Sequence, residues 1–380
     1  MGNRLLTHNH SFVSLSTQRS RRRRADRGAL ASGRPAWGYS ACVATIADVA
    51  RLAQVSTATV SRVINGNTEV DPVLADRVRV AIAELNYRPS RVARSLRTRR
   101  SSVLAVIISD IRNPFFTDMV RGIEDVAYAH NYSLVLCNAE DDPAKEADYL
   151  TLAVDEHMAG VVLAPASPTG TDLKSLRAAG VPVVTVDRRL ADDDVDRVLI
   201  DNIGGAVTAV EHLWHSGFRR IGCVSGPVGV STGADRLAGY RQGLAAHQLP
   251  DDEQLVSFGD FHEESGTRAM QELLALPDPP DAVFVANNLM TLGALDAIAA
   301  TSLRVPDDIG IVGFDDMAWA PLLRPPLTTV GQPTYDVGAE TARMLLSRLT
   351  GYVGPGREVV LSPQLFVRAS STLSARWSPA

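Results

Sequence analysis

Polar side chains that follow predicted β-strands are the residues of this sequence best suited to bind a small molecule. Carboxylate and amide oxygens accept hydrogen bonds from vicinal hydroxyls, arginine donates them, and aromatic rings pack on C–H-rich sugar faces. Residues of these types end or follow the predicted strands of the acidic part of the chain: Asp110, Phe115, Phe116, Asp187, Asn287 and Asp315. Two more candidates, Arg236 and Phe261, lie in the segments 233–240 and 259–261 of the same part. We therefore expect a site for a sugar-like ligand. One of the two adjacent phenylalanines could belong to the core instead, and capping of a helix explains Asp201 better than ligand binding does.

A second group of residues is suited to bind DNA. Ser56, Thr59 and Ser61 carry short hydroxyls that can approach phosphates. Arg62 has a planar fork that matches guanine O6 and N7, although a surface arginine on a helix is the alternative. Leu96 lies among arginines, as apolar minor-groove wedges do, and ordinary packing of a linker leucine is the alternative.

Motifs of enzymes and metal sites are missing from the sequence. No G-x-G-x-x-G follows a strand, and there is no P-loop, no H-E-x-x-H and no Cys/His cluster. The three cysteines lie far apart, which excludes a disulfide framework and fits a reducing compartment. The sequence predicts neither an enzyme nor a cofactor or metal site.

Charge divides the 380 residues into a basic front and an acidic body. Residues 1–43 hold eight Arg and one Asp, and residues 44–100 hold ten Arg and five acidic residues, or +7 and +5. Because the whole chain carries −5, residues 101–380 carry −17. A basic segment on an acidic body indicates a polyanionic partner for that segment. No run of about 18 apolar residues occurs, so no membrane-spanning helix is predicted.

The first 43 residues lack apolar periodicity and are predicted to be a disordered basic extension. Their four consecutive arginines, Arg21–Arg24, raise the possibility of an export signal, but no apolar region follows them. A start codon placed too early, with the true beginning near Val43, is the other alternative. We expect this extension to be dispensable.

Three short helices are predicted in the basic segment. Thr45 starts the first with a capping-box pattern, and Ser56 caps a second helix from Thr57 to about Ile64. Asp71 followed by proline starts a third, supporting helix. Two short helices joined by a tight turn form a helix-turn-helix unit, whose second helix can enter a major groove.

Beyond residue 100, short β-branched runs alternate with amphipathic segments. This rhythm predicts βαβ units, and two parallel sheets that face each other would enclose a cleft at their strand ends. Crossings between the two halves are expected near Asn202, near residues 329–332 and near residues 359–361. The predicted fold class is a small all-α head plus an α/β core of two parallel-sheet subdomains.

Three sequence blocks resemble the DNA-binding head and hinge of the lactose-repressor (LacI/GalR) family. They are Thr45–Ala50, Val55–Asn65 and Glu84–Leu96, in order and at the spacing of that family. The resemblance extends over about residues 44–370. It implies a periplasmic-binding-protein-like core with an effector cleft, and a hinge helix that forms only on DNA and wedges Leu96 into a base step.

The resemblance also implies a set of residues at the DNA. They are Thr45, Ser56, Thr57, Ala58, Thr59, Ser61, Arg62, Asn65, Tyr87, Ser90, Arg91, Ala93 and Leu96. Two departures from purine-responsive relatives, residues 228–231 and the pair Asn287-Asn288, favour a neutral polyol over a purine or carboxylate effector.

The predicted domains are the extension 1–43, the head 44–89, a hinge and linker 90–100, the core 101–370 and a tail 371–380. Within the core, the N-subdomain is expected at about 101–202 and 331–360, and the C-subdomain at about 203–330 and 361–370. The predicted function is a cytoplasmic transcription regulator: a homodimer on a pseudo-palindromic operator, switched by a small-molecule effector. An exported sugar-binding protein is the alternative, and inducer and corepressor both remain open.

Overall fold

In a computed structural model of the chain, the described residues are 44–64, 70–87, 101–192 and 194–373. The chain divides into two compact units at Arg88, and each is described by itself. Several predicted features lie outside the described residues: the extension 1–43, Asn65, the hinge with Ser90, Arg91, Ala93 and Leu96, and the end of the tail.

The first unit is a bundle of three helices, α1 (Ile46–Ala53), α2 (Thr57–Ile64) and α3 (Pro72–Glu84). The predicted caps are confirmed: Thr45 and Asp48 form a capping box on α1, and Asp71 caps α3 with proline in the first turn. Gln54 turns the chain between α1 and α2 in the left-handed region, at φ 54°. Small apolar side chains from the three helices form the core: Val49, Ala50, Ala53, Val60, Val78 and Ala81.

The first sheet of the second unit has the strand order β11-β5-β4-β3-β1-β2, and all its pairs are parallel. Its strands are β1 (Val103–Ile108), β2 (Ser133–Asn138), β3 (Gly160–Leu163), β4 (Val183–Val186), β5 (Asp196–Ile200) and β11 (Glu358–Leu361). The helices of this half are α4 (Pro114–Ala129), α5 (Pro143–Asp155), α6 (Lys174–Ala179) and α11 (Thr334–Leu349). Hydrophobic clusters include side chains from neighbouring residues of β1, so the inner strands are apolar on both faces.

The second sheet has the order β12-β10-β9-β8-β6-β7. Its strands are β6 (Ile221–Ser225), β7 (Val256–Phe258), β8 (Ala282–Val285), β9 (Gly310–Phe314), β10 (Thr328–Gly331) and β12 (Gln364–Phe366). The helices here are α7 (Asn202–His215), α8 (Ser231–Ala246), α9 (Glu263–Leu274) and α10 (Asn288–Ala299). Short 3₁₀ turns lie at Glu253–Leu255, Ala320–Leu322 and Ala369–Ser371.

The chain passes between the two sheets three times within residues 101–373. It crosses between β5 and α7, between β10 and α11, and between β11 and β12. Below, the half with the first sheet is called the N-subdomain and the half with the second sheet the C-subdomain. Their strand orders are equivalent, so β4 in one corresponds to β9 in the other.

Three strands differ from the sequence-based expectation, and one of them is β11, whose residues were expected only as a crossing between the subdomains. The strand β7 is only three residues long and was not predicted, because so short a segment carries no periodic signal. The strand β12 was also not predicted, and it pairs antiparallel to β10 at the edge of a sheet expected to be parallel throughout. A two-residue connection joins the end of β11, at the edge where the parallel strands of the first sheet end, to the start of β12 in the second sheet. The chain therefore enters the second sheet at the edge where its parallel strands end, and β12 must run against β10.

Candidate functional site

A cleft lies between the N- and C-subdomains, and its free space, counted together with the open solvent at its mouth, is about 460 Å³. The strand ends of both sheets contribute its walls, and all eight residues predicted from the sequence line it. The lining residues are Ser109, Asp110, Asn113, Phe115, Phe116, Asp141, Asp187, Arg188, Thr232, Arg236, Phe261, His262, Asn287, Leu289, Asp315 and Gln332. Their convergence is what a small-molecule site on paired α/β sheets requires.

Four of the lining residues adopt the left-handed backbone region, which is uncommon for residues other than glycine. Asp187 follows β4 with φ 67° and Asp315 follows β9 with φ 76°, while Asp141 and Phe261 lie in the loops after β2 and β7 with φ 56° and 70°. Asp187 and Asp315 therefore occupy equivalent positions in the two subdomains, with the same local backbone. Such conformations cost free energy and cluster at ligand sites, so this pattern supports a binding role.

The Arg236 guanidinium is buried and held on three sides. Its Nε donates to Asn202 Oδ1 at 2.7 Å and its Nη1 donates to the Ala286 carbonyl at 2.6 Å. The guanidinium carbon lies 3.8 Å from the centroid of the Phe314 ring. Burial lowers the pKa of Arg236, while Asp315 and Asp187 oppose that shift. The side chain is therefore fixed in place, and among the described residues no hydrogen bond involves its Nη2.

Asp187 and Arg188 form a second charged pair in the cleft. Burial raises the pKa of Asp187 to about 6, although Arg188 and Arg236 lower it. Arg188 Nε lies 3.7 Å from Asp187 Oδ2, too far for a hydrogen bond. The other end of the Arg188 guanidinium pairs with Asp141, which lies in the loop after β2. Within the described part of the chain, no hydrogen bond reaches the Asp187 carboxylate.

Asp315 is anchored at both carboxylate oxygens. Its Oδ2 accepts from the Asn288 backbone N–H at 3.2 Å, and its Oδ1 accepts from Gln332 Nε2. Gln332 follows β10 at a crossing between the subdomains, so this bond ties the carboxylate to that crossing. Asp110 is similarly engaged, because Arg112 donates to both of its oxygens.

Asn287 and the phenylalanines shape the cleft. Asn287 Oδ1 caps α10 through the Met290 N–H, and its Nδ2 donates to the Phe261 carbonyl at 2.9 Å. Asn287 therefore positions Phe261 as well as lining the cavity. Phe115 and Phe116 are both buried and meet edge to face at 5.1 Å between centroids, and both line the cleft. The prediction that Asp201 caps a helix is confirmed, since it accepts from the Gly204 N–H.

Buried polar atoms without a hydrogen-bond partner concentrate in the cleft. Among the described residues, five such atoms occur, and three belong to lining residues: Ser109 Oγ, Arg188 Nε and Gln332 Oε1. A buried polar group left unpaired costs about 1–3 kcal/mol, so a bound ligand or water is expected to satisfy these atoms. They include both donors and acceptors, as recognition of hydroxyl groups requires.

Sequence reasoning missed half of the lining residues. Arg188 and Ser109 are direct neighbours of the predicted Asp187 and Asp110, so each of these strand ends contributes two residues to the cleft and not one. Asp141 and Gln332 follow β2 and β10, whose ends the sequence does mark by a switch from apolar to polar residues. His262 is next to the predicted Phe261, in the loop after β7.

The head presents the predicted DNA-binding residues as follows. Thr45, Ser56, Thr57, Ala58 and Arg62 are exposed, whereas Thr59, Ser61 and Tyr87 are partly buried. The Ser56 hydroxyl accepts from the Thr59 backbone N–H at 3.1 Å, which caps α2. Tyr87 packs against the small core of the head, so part of its ring is structural.

The described residues contain no cluster of three or more His, Cys, Asp or Glu side chains that could hold a metal ion. None of the helices in the same described ranges is both long and apolar enough to span a bilayer.

Family models match both parts of the chain. The model of bacterial regulatory proteins of the lacI family matches residues 45–90, and that of a periplasmic binding protein-like domain matches residues 210–371. The chain is 40% identical over 335 residues to the HTH-type transcriptional regulator CelR of Thermobifida fusca, covering 86% of this chain and 98% of the relative. It is 36% identical to the HTH-type transcriptional repressor CytR of Escherichia coli (strain K12), covering 86% and 96%.

Solved structures show the same similarity. A complex of the transcriptional regulator CelR with cellobiose matches at a TM-score of 0.65 and 37% identity, covering 86% of this chain and 99% of the other. The lac repressor dimer bound to operator and the anti-inducer ONPF matches at a TM-score of 0.78 and 29% identity, covering 87% and 99%. The similarity thus spans the head and the core.

Proposed function

The chain belongs to the LacI family of bacterial regulatory proteins and is a DNA-binding transcriptional regulator, and on this premise we propose that it is a repressor switched by a neutral sugar bound in the cleft. The observation that carries the proposal is the convergence of the predicted polar and aromatic residues on one cavity, together with three unpartnered buried polar atoms. An exported sugar-binding protein would have no use for the helix-turn-helix head.

The charge of the cleft favours a neutral ligand. Four aspartates and two arginines line it, a formal balance of −2 with His262 neutral. A carboxylate or phosphate ligand would be repelled by this balance unless it displaced an existing ion pair. A hydroxyl fits better, because it can accept a hydrogen bond from Arg188 Nε and donate one to Asp187 Oδ2 at the same time. The cellobiose complex of the similar regulator CelR supports this ligand class.

The three crossings between the subdomains provide the means of switching. A ligand that contacts both walls binds more tightly when the walls are close, so it shifts the equilibrium between open and closed cores. By linkage, the sugar changes DNA affinity by the same factor by which DNA changes sugar affinity. Inducer and corepressor roles are both compatible with this scheme.

We further propose that two copies act together on a pseudo-palindromic operator in the cytoplasm. The similar lac repressor is a dimer on its operator. In this arrangement the residues of α2, with Arg62 foremost, contact base edges and phosphates in the major groove. The predicted hinge at residues 90–100, with Leu96 as a wedge, remains a prediction.

A ligand screen on the full chain tests the proposal. Thermal shift followed by calorimetry would compare cellobiose, D-ribose, other pentoses and hexoses, a purine base and inorganic phosphate. We expect at least one sugar to bind and to change affinity for the DNA upstream of the protein's own gene. Binding of the purine or phosphate alone, or sugar binding without any change in DNA affinity, would contradict the proposal.

A further inference from the structure

Two sets of hydrogen bonds join the walls of the cleft directly. On one, Asn288 Nδ2 of the C-subdomain donates to Asn113 Oδ1 of the N-subdomain at 2.8 Å, and Asn113 lines the cavity. On the other, the Arg189 backbone N–H donates to Ser231 Oγ at 2.9 Å, and the Arg189 guanidinium pairs with Asp235. Arg189 follows β4 in the N-subdomain, whereas Ser231 and Asp235 lie in the first turns of α8 in the C-subdomain.

The second set differs from the rest of the site because its side chains do not line the cavity. Each partner is nevertheless close in sequence to a lining residue: Arg189 is two residues after Asp187, and Asp235 immediately precedes Arg236. The Arg189 side chain is 45% exposed and that of Asp235 only 14% exposed, so the ion pair lies at the rim of the cleft. Breaking this pair would leave the ligand-contacting groups chemically intact.

We propose that Arg189 and Asp235 are positioning residues, which hold the two walls together in the absence of ligand and thereby set the affinity for the effector. The inference rests on the proposed cleft function. A protein that is already closed binds a ligand with its full intrinsic affinity, whereas one that is mostly open loses affinity in proportion to the closed fraction. The strength of the Arg189–Asp235 ion pair thus sets the affinity for the sugar although neither side chain contacts it.

The expected size of the effect follows from the exposure of the pair. Partly exposed ion pairs change an equilibrium by up to about fivefold. We therefore expect Arg189→Ala to raise the ratio of open to closed cores by roughly fivefold at low salt. High salt should open the wild-type core in the same direction, because ions screen an exposed pair. It should have little further effect on the variant.

The test measures the distance between the walls in the full chain without any sugar. Spin labels would be placed on Thr117→Cys in α4 and Gln271→Cys in α9, which are exposed on the N- and C-subdomains respectively. Cys42 would be replaced by serine. The remaining cysteines, Cys137 and Cys223, are buried, and burial raises the pKa of both thiols, so they react slowly with the label.

A double-mutant cycle consists of Arg189→Ala, Asp235→Asn and the variant that carries both changes. We expect each single variant to move the distance distribution toward the open form, and the double variant to go no further than either single one. Arg189→Lys should restore much of the closed population, since it keeps the charge. The matched control is Arg177→Ala, because Arg177 pairs with Asp192 inside the N-subdomain.

Any of three results would refute the proposal that the Arg189–Asp235 pair holds the walls together. They are an unchanged distance distribution in both single variants, additive shifts in the double variant, or a shift of equal size in the Arg177→Ala control. Because no sugar is present, these outcomes are independent of the ligand screen. If no sugar binds but the variants shift the distance distribution, only the sugar assignment is refuted. If a sugar binds but the distances do not change in the variants, only the proposed role of the Arg189–Asp235 pair is refuted.

Discussion

Replacing Asp187 by asparagine should make the protein more stable and its cleft less able to bind sugar. The Asp187 carboxylate is 7% exposed and, within the described residues, receives no hydrogen bond. Burial raises its pKa from 3.8 to about 6, against the attraction of Arg188 and Arg236. Asparagine has nearly the same shape and tolerates the left-handed backbone found here, at φ 67°. The substitution therefore removes a costly buried charge with little change in packing.

The magnitude follows from the difference between the folded and the ordinary pKa. The folded chain holds this proton up to about pH 6 and the unfolded chain only up to 3.8, so stability falls as the pH rises through that window. The gap corresponds to a penalty of ~3 kcal/mol at pH 8 and ~1.6 kcal/mol at pH 5, and none well below 3.8. Relaxation of the cleft reduces these values, so we expect a gain of about 1–3 kcal/mol at pH 8.

Scanning calorimetry of the full chain at pH 5, 6.5 and 8 measures this difference. For a domain of this size, about 2 °C of Tm accompanies each kcal/mol, so the core transition of Asp187→Asn should exceed the wild type by up to roughly 6 °C at pH 8. The difference in Tm between the variant and the wild type should become smaller toward pH 5. Asp118→Asn, which changes an exposed carboxylate of α4, is the matched control and should show no gap. A Tm equal to or below the wild type at pH 8, or a gap that does not vary with pH, would refute the reasoning.

Four further substitutions give distinct outcomes. Asp315→Asn should weaken sugar binding about 10- to 150-fold in calorimetry, since a charged hydrogen-bond acceptor is lost, and should leave sugar-free DNA affinity unchanged. Arg62→Ala should cost ~1–3 kcal/mol of operator affinity and lower the salt slope by at most about one in a salt titration. Leu96→Ala should reduce DNA bending in a gel assay at an unchanged salt slope, and wild-type bending would refute the wedge. Asp196→Asn should lower the unfolding free energy by about 3–5 kcal/mol in denaturant titrations at pH 7, because the buried carboxylate pairs with two arginines.

The pH dependence of the Asp196 contribution has the opposite sign from that of Asp187. Although burial opposes it, hydrogen bonds from Arg348 and Arg357 lower the pKa of Asp196 to about 2. Its stabilisation is therefore fully present above 3.8 and is lost as the pH falls through 2. Acid unfolding of the wild type should show this loss, and the Asp196→Asn protein should lack it.

The sequence predicts the fold and the cleft well because both depend on local patterns. Capping residues such as Thr45 and Asp71 start helices through their own hydrogen bonds, which a sequence reveals directly. Strand-end residues such as Asp110 and Asp187 lie on one wall of the cleft because parallel strands all end at the same edge of a sheet. Asp315 reaches the same cavity from the second sheet because the two sheets face each other, and Arg236 reaches it from α8.

Features that depend on contacts between distant residues could not be predicted. The ion pair of Arg188 with Asp141 joins residues 47 positions apart, and that of Arg189 with Asp235 joins residues 46 apart. In the sequence, Arg188 and Arg189 are simply two arginines in a row. Only the meeting of the two sheets gives one of them a place in the cavity and the other a place at its rim.

Arg236 links the cavity to the crossing through which the subdomains move. Its Nε bonds to Asn202, the first residue of α7, directly after the chain leaves β5 for the other sheet. The Arg236 guanidinium also packs on the ring of Phe314, the last residue of β9, which directly precedes Asp315. The same guanidinium therefore contacts both the crossing and the end of β9. A ligand that draws Arg236 toward itself must therefore alter the bond to Asn202 or carry that residue along. Since Asn202 is buried, either movement would have to be accommodated by the packed residues around the crossing and not at the surface.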